Sequence, residues 1–162
     1  MQAPESNKKC GDPRCRCCHL LSEERNLKIN GKPFTPVDCG SCRSSNLIYS
    51  IKCKKCNLHY IGETAQALSL RISGHRTAIN RTKNGAKLDD DSNDNGTAYH
   101  FGDGTHNFEE DAEVTILEAG DWRSSFERKS KEDYFILKFD TLQPGGINVK
   151  KGIFSTTFRG KI

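Results

Sequence analysis

Residues 47–64 have the sequence LIYSIKCKKCNLHYIGET, which contains the strongest β-strand signals of the chain. Two runs rich in β-branched and aromatic residues, LIYSI and LHYIGE, flank the polar KKCN, which is the pattern of a β-hairpin. Each run carries one tyrosine, Tyr49 or Tyr60, and Cys53 and Cys56 form a C-x-x-C at the turn. The stretch therefore predicts two antiparallel strands with two metal-ligating side chains at their connection.

Helical patterns and one further strand follow the hairpin. TAQALSLRISGHRTAINRT has Thr64 as its predicted N-cap and apolar residues at helical spacing from Leu68 to Ile79. The polar KNGAKLDDDSNDNG predicts a loop, TAYHFG a short helix and EVTILEAG a third strand. SSFERKSKEDYFILKFDTL predicts a second long helix capped by Ser124 or Ser125. This order predicts an α+β fold, a small three-stranded, mostly antiparallel sheet flanked by helices.

The first 45 residues differ in composition from the rest of the chain. KKCGDPRCRCCHL and GKPFTPVDCGSC combine cysteine, proline, glycine and basic residues, and neither shows a sustained helical or strand period. Such a segment is expected to be rich in loops and to need staples in order to fold. The sequence thus predicts a Cys-rich extension over residues 1–45 and an α+β domain over residues 46–162.

Eight cysteines in 162 residues indicate that metal or covalent links supplement a modest core. No apolar N-terminal segment typical of secretion is present, so the C-x-x-C pairs favour structural zinc over disulfides or free buried thiols. Cys53 and Cys56 would take two partners from the N-terminal extension and staple it to the domain. A second zinc is an alternative. In order of preference, the predicted ligands are Cys15, Cys18, Cys53 and Cys56, then Cys42 as the main rival, and Cys10 and His19 for the second ion.

The net charge of +4 hides an uneven distribution. Residues 1–56, 57–88 and 122–162 carry +6, +4 and +5, whereas residues 89–121 hold eleven acids and neither lysine nor arginine. Basic flanks of this kind suit a polyanionic partner, and the alternative is an ordinary solvated surface. No apolar run reaches membrane-spanning length, so no membrane partner is expected.

Five separated motifs occur in a recognisable order: the tyrosine of LIY, YIGET, LSLRISGHR, KEDYFI and GGIN. Over about residues 46–150 the chain resembles the GIY-YIG nuclease superfamily, although Asn46, Leu47 and Ile48 precede Tyr49 in place of the nominal Gly-Ile. The upstream CGDPRCRCCH, the C-x-x-C between the tyrosines and the closing PGGIN make it most similar to the C-terminal endonuclease domain of Penelope-like retroelements. The resemblance implies nuclear localisation and a reverse transcriptase domain in the native polypeptide.

The resemblance also implies a reaction, the metal-dependent hydrolysis of DNA phosphodiester bonds that nicks or cuts a target for retroelement integration. Glu132 would bind Mg²⁺ or Mn²⁺, Arg71 would stabilise charge on the phosphate, and Tyr49 would be the general base. Tyr60 and His75 would orient the phenol and the phosphate, and Asn148 would hold substrate or support the site geometry. The basic residues expected to contact the DNA backbone are Lys8, Lys9, Arg14 and Arg16.

Each of these residues also has a purely structural interpretation. A strand tyrosine is usually part of the core, and Arg128, four residues before Glu132, offers that carboxylate an ion-pair partner. His100 and His106 could contact DNA or assist near the metal, but packing or loop roles are preferred for them. His59 is expected to lie on the opposite strand face from Tyr60. Two other functions remain open, a non-catalytic zinc-stapled nucleic-acid-binding module and a structure-specific repair nuclease. The sequence leaves the oligomeric state undecided.

Overall fold

The structure, a computed structural model, describes residues 6–87 and 95–149. Part of the predicted polar loop, residues 88–94, lies outside the described residues, as do the last residues of the chain from 150 onward. In chain order the elements are β1 (Leu27–Ile29), β2 (Lys32–Phe34), β3 (Leu47–Cys53), β4 (His59–Thr64), α1 (Leu68–Lys83), α2 (Asn95–Phe101), α3 (Phe108–Asp111), β5 (Ala112–Ala119) and α4 (Ser125–Phe139).

The main sheet contains three antiparallel strands in the order β4-β3-β5, with helices on both faces. The predicted α+β class and the small antiparallel three-stranded sheet are therefore confirmed. The central strand β3 is buried along most of its length because it is paired on both edges and covered on both faces. Tyr49 lies opposite Gly62 of β4 and Ile116 of β5, and the register with β5 shifts between Ile48 and Tyr49.

Strand alternation separates two apolar cores. One core contains Tyr49, Tyr60 and the apolar residues of α1, and the other contains Ile48, Ile61 and the apolar residues of α4. The apolar residues predicted at helical spacing pack into these cores, as expected. They are all nearly fully buried: Leu68, Ile72 and Ile79 of α1, and Phe135, Ile136 and Phe139 of α4. Burial of each such side chain contributes about 1.5–3 kcal/mol, so the two helices hold the sheet from opposite sides.

The predicted start of α1 is wrong. Thr64 ends β4, and its Oγ1 accepts a hydrogen bond from the amide of Gln66 at 3.0 Å. The helix begins at Leu68 without a side-chain cap; instead, the amides of Leu68 and Ser69 each donate at 2.9 Å to the carbonyls of Ser44 and Cys42. Distant backbone thus satisfies the amides that a cap would otherwise satisfy.

The predicted start of α4 is confirmed. The side chain of Ser124 accepts a hydrogen bond from the amide of Glu127 at 3.2 Å, as an N-cap does. Glu127 also places a carboxylate in the first turn, where its negative charge interacts favourably with the helix dipole. Local sequence therefore sets this helix terminus, in contrast to that of α1.

The N-terminal extension contains a hairpin that the sequence analysis missed. β1 and β2 pair through a turn at Asn30 and Gly31, which both have positive φ. Asn30 Nδ2 donates to the carbonyl of Phe139 at 2.6 Å, and Ile29 is buried against α4. Leu20 and Leu21 join the core on the other face. The extension thus packs into both cores, across the predicted boundary at residue 45.

Candidate active site and metal centres

The two tyrosines and His75 meet on one face of the sheet. Tyr49 Oη and His75 Nε2 are 2.6 Å apart, and His75 Nδ1 is 2.8 Å from Thr97 Oγ1 of α2. The Tyr60 ring packs edge-on against His75 at a centroid distance of 5.4 Å. With Nδ1–H donating to Thr97, the Nε2 lone pair faces the phenol and can accept its proton. The arrangement is a tyrosine–histidine couple held by a threonine.

The glycine of YIG shapes the space for the phenol. A Cβ at Gly62 would lie 2.5 Å from Tyr49 Oη and 2.8 Å from the Tyr60 ring. Any other residue at this position would therefore push Tyr49 away from His75. This explains in physical terms why the motif carries glycine beside its tyrosine.

Solvent does not reach the tyrosine–histidine couple in this conformation. Tyr49 is 0% exposed, and Tyr60 and His75 are each 1% exposed. Contacts within the core therefore satisfy the polar atoms of these three side chains, as they would in residues with a purely structural role. Chemistry at Tyr49 requires that the site open when a substrate binds.

Asn148 lies beside β4 as a backbone clamp. Its Oδ1 accepts from the amide of Ile61 at 2.9 Å and from Thr141 Oγ1 at 2.6 Å, and its Nδ2 donates to the Ile61 carbonyl at 2.9 Å. These bonds tie the segment after α4 to the strand that carries Tyr60. The geometry matches the supporting role expected for Asn148, and substrate contact stays a prediction.

Arg71 and Glu132 come from opposite sides of the sheet. Arg71 is half-buried on α1, one turn before His75, whereas Glu132 is half-buried on α4. Arg128, one turn before Glu132, donates to Glu63 of β4 and to Asn46. Because β4 is an edge strand, groups from both faces can meet beside it. Glu132 belongs to neither of the metal-ligand groups found among the described residues.

Four cysteines of the N-terminal extension form a first candidate metal centre. The Sγ atoms of Cys10, Cys15, Cys18 and Cys42 all lie within 4.8 Å of one another. The Cys10–Cys18 and Cys18–Cys42 separations are 3.5 and 3.7 Å, close to the edge of about 3.8 Å that tetrahedral Zn–S bonds of about 2.3 Å produce. The amide of Cys17 also donates to Cys15 Sγ. This group could hold a structural metal such as zinc.

A second centre lies at the far turn of the hairpin. Cys53, Cys56, His100 and His106 have their ligand atoms within 4.8 Å, and Cys56 Sγ is 3.4 Å from His100 Nε2. Asp103 Oδ2 lies 3.2 Å from His106 Nδ1, which leaves Nε2 for a metal. Burial and the neighbouring His106 lower the pKa of His100, so its imidazole is neutral and ready to ligate.

The predicted grouping of the cysteines is therefore wrong. Cys15 and Cys18 do not join Cys53 and Cys56; each pair belongs to its own centre, because the chain brings Cys10 and Cys42 to the first pair and two histidines to the second. His100 and His106 do pack, against Phe101 and against each other, and in addition could ligate a metal. The H-x₅-H spacing of His100 and His106 suits zinc, but 43 residues separate Cys56 from His100, so spacing alone did not join the two pairs.

Three other predicted or available ligands lie outside both centres. His19 Nε2 bonds Glu109 Oε2 at 2.7 Å, so its predicted role in a second zinc site is wrong. Burial raises the pKa of the Cys17 thiol to about 11, as expected for a packing residue. Cys39 Sγ lies 3.9 Å from the carbonyl of Pro36. All eight cysteines are described, and none forms a disulfide.

His59 is buried with its Nδ1 unbonded by any described residue. It belongs to the sheet face opposite Tyr60, as the sequence predicted. Burial and the nearby Lys52 lower the pKa of His59 to about 4, so the imidazole is neutral at physiological pH. It has no part in the tyrosine–histidine couple.

The basic residues predicted to contact DNA are all on the surface. Lys8, Lys9, Arg14 and Arg16 are exposed in the extension. Arg76 of α1 joins the extension to the domain. Its side chain is only 7% exposed, and its Nε lies 2.6 Å from Glu109 Oε1. Arg76 also donates a hydrogen bond to the carbonyl of Arg16 in the extension. Although burial acts to raise it, hydrogen bonds from Arg76 and His19 lower the pKa of Glu109.

Replacing Glu109 by glutamine should destabilise the protein by about 1–3 kcal/mol at neutral pH, because the buried Arg76 guanidinium loses its counter-charge. The folded-state pKa lies below the ordinary value, so this stabilisation is present above about pH 4.5 and is lost only in acid. Urea unfolding at pH 8 and pH 6 should give the same difference. Glu110→Gln, at the exposed neighbouring position, is the control, and an equal effect there would contradict the ion pair's importance.

The described part of the chain contains no helix that is both long and apolar enough to cross a membrane. The chain matches no protein-family model, no curated protein and no solved structure. The resemblance to GIY-YIG nucleases therefore depends on the motif residues of the sequence alone.

Proposed function

We propose that the protein is a metal-dependent DNA endonuclease of the GIY-YIG type. The observation that carries the proposal is the 2.6 Å contact between Tyr49 Oη and His75 Nε2. A phenol with a reference pKa of about 10 is a poor base at neutral pH unless another group takes its proton. His75, oriented by Thr97, is placed to do so. The contact between Tyr49 and His75 therefore supports the proposal that Tyr49 acts as the general base.

The remaining roles follow from the residue types. Arg71, one turn from His75, offers a planar guanidinium to a phosphate oxygen that gains charge in the transition state. Glu132 is a half-buried hard oxygen ligand, and a single carboxylate suits Mg²⁺ or Mn²⁺, which keeps several waters. The bound ion would supply charge neutralisation at the phosphate. Tyr60 packs His75 in place, and Asn148 holds the β4 backbone.

We propose further that two structural zinc ions hold the extension and the far turn, one in the four-cysteine centre and one in the Cys₂His₂ centre. Thiolate and imidazole ligands select zinc, whereas a carboxylate with water selects magnesium, so the two metals would not compete for the same sites. The similarity to Penelope-like elements makes insertion of a retroelement into nuclear DNA the proposed setting, with a reverse transcriptase domain as the proposed partner in the native polypeptide.

A non-catalytic zinc-stapled nucleic-acid-binding module is the second candidate. The burial of Tyr49, Tyr60 and His75 favours it, because a fully covered couple can serve as core alone. A structure-specific repair nuclease would share the first candidate's chemistry, and branched or flapped substrates compared with linear duplex would separate the two.

The deciding experiment is a supercoiled-plasmid assay on zinc-loaded protein with and without Mg²⁺. The nuclease should nick or linearise the plasmid only when Mg²⁺ or Mn²⁺ is present, and Arg71→Ala should abolish cleavage while binding is largely kept. Magnesium is withheld by dialysis, since a chelator such as EDTA would also strip zinc. Salt-sensitive binding without turnover under either metal would favour the module instead.

A further inference from the structure

One exposed stripe of α1 has no role in the chemistry proposed above. Leu70, Gly74, Thr77 and Arg81 lie at i, i+4, i+7 and i+11, so they share one face of the helix. All four are exposed, and Leu70 is 61% exposed. At 1.5 Å per residue the stripe is about 16 Å long, which matches the rise of about five nucleotides of one DNA strand. We call it the α1 ridge.

Gly74 in the middle of this ridge has no internal reason to be glycine. Glycine in a helix interior is less favourable than alanine. A Cβ at this position would meet only Arg71 Nη1, at 3.9 Å, which is ordinary van der Waals contact, and the backbone is not in the left-handed region. Neither packing nor conformation excludes alanine. A bare backbone is required where another molecule approaches closely, so Gly74 indicates a ligand lying against the ridge.

The charges around the ridge indicate what that ligand is. α1 carries four lysine or arginine residues and no acidic residue. Beside its N-terminal half is a cavity of about 260 Å³ that adjoins the first candidate metal centre, since Cys10, Cys15 and Cys42 are among its lining residues. The lining also includes three arginines and two serines: Arg14, Arg16, Arg43, Ser69 and Ser73. Asp12 is the one carboxylate among the described lining residues, and it already pairs with Arg43 at 3.2 Å. The cavity and the ridge share Leu70 and form one basic surface.

We propose that the phosphate backbone of duplex DNA lies along the α1 ridge and over Gly74. Arg14, Arg16 and Arg43 hold the DNA on one flank of the helix, and Arg71, on the other flank, faces the phosphate to be cleaved. A surface with repeated basic groups, whose one described carboxylate, Asp12, is paired with Arg43, complements a polyanion. A protein partner would need more apolar surface than the single Leu70 offers. This inference rests on the proposed nuclease function and specifies how its substrate is held.

The test compares Gly74→Gln with Gly74→Ala in the zinc-loaded full chain. Both substitutions improve helix propensity and should raise Tm similarly, so neither result depends on a folding defect. Binding is measured by fluorescence anisotropy on a duplex of about 20 base pairs, with Ca²⁺ in place of Mg²⁺ to prevent cleavage. Glutamine, which projects into the path of the backbone, should weaken binding by roughly tenfold or more, and alanine, whose Cβ alone intrudes on the close approach, by about three- to fivefold.

A second measurement uses the flanking arginines. Arg14→Ala combined with Arg16→Ala should reduce the slope of log affinity against log salt by about 2, because each phosphate contact contributes about 0.9. Arg25→Ala combined with Lys28→Ala, beside the β1–β2 hairpin, should leave the slope unchanged. If Gly74→Gln binds as tightly as wild type, or the arginine variant keeps the wild-type slope, the ridge proposal is overturned. Mg²⁺-dependent cleavage by the same preparations would leave the nuclease proposal standing; wild type that neither binds nor cuts DNA overturns both.

Discussion

Glu132→Gln is expected to lower Mg²⁺-dependent DNA cleavage by about 10³-fold, since loss of the metal removes several kcal/mol of charge stabilisation from the transition state. Glutamine keeps the volume and helix propensity of glutamate, so the apolar face formed by Phe135, Ile136 and Phe139 should stay packed. The measurement is the single-turnover rate on supercoiled plasmid at saturating protein.

Glu127→Gln is the matched control, because it removes an exposed carboxylate from the first turn of the same helix. It should cut at the wild-type rate. DNA affinity should be nearly unchanged in both variants. An undiminished rate for Glu132→Gln would remove Glu132 from the site, and an equal loss in both variants would indicate a general charge effect.

Removal of zinc is expected to have the largest effect on stability. Structural zinc sites contribute on the order of 10–16 kcal/mol in small domains, which equals or exceeds the whole stability of an ordinary domain of about 5–15 kcal/mol. Cys42 is fully buried in the core that contains Tyr49, so loss of the first centre should loosen the fold around the tyrosine–histidine couple. Far-ultraviolet circular dichroism during chelator titration should show unfolding at 25 °C.

The metal count tests the assignment of the two centres. Wild type should contain two zinc ions per chain by elemental analysis, Cys42→Ser and His106→Asn one each, and Cys39→Ser two, since Cys39 lies outside both groups. A single zinc in wild type that both Cys18→Ser and Cys53→Ser abolish would restore the composite site predicted from the sequence. A stable, fully folded metal-free protein would contradict the stapling role.

The β3–β4 hairpin and the two long helices could be predicted because their signals are local. Each strand of the hairpin is a short run of β-branched and aromatic residues, and the apolar stripe of α4 repeats at helical spacing within that one helix. The β1–β2 hairpin was missed because three-residue strands carry almost no periodicity, although the Asn30–Gly31 turn signal was present. The capping of α1 could not be predicted, because Ser44 and Cys42 act through tertiary contacts.

In the candidate site too, the local features could be predicted from the sequence and the long-range contacts could not. Arg71 and His75 could be placed together because they are four residues apart on one helix. Thr97, which binds His75, lies on another helix, and nothing local marks it. The zinc knuckles were visible as C-x-x-C pairs, but which ligands complete each centre depends on how the chain folds back. The predicted ligand sets are wrong because they depend on these long-range contacts.

The role of Tyr49 as general base is tested by the cleavage rate of Tyr49→Phe compared with that of Tyr134→Phe. The phenylalanine at position 49 keeps the packed ring and removes only the hydroxyl that contacts His75, whereas Tyr134 is 50% exposed on α4. If Tyr49 is the general base, its variant should bind DNA normally and cut about 10²–10⁴-fold more slowly, with Tyr134→Phe unaffected. A folded Tyr49→Phe variant that cuts at the wild-type rate would contradict the role of Tyr49 as general base.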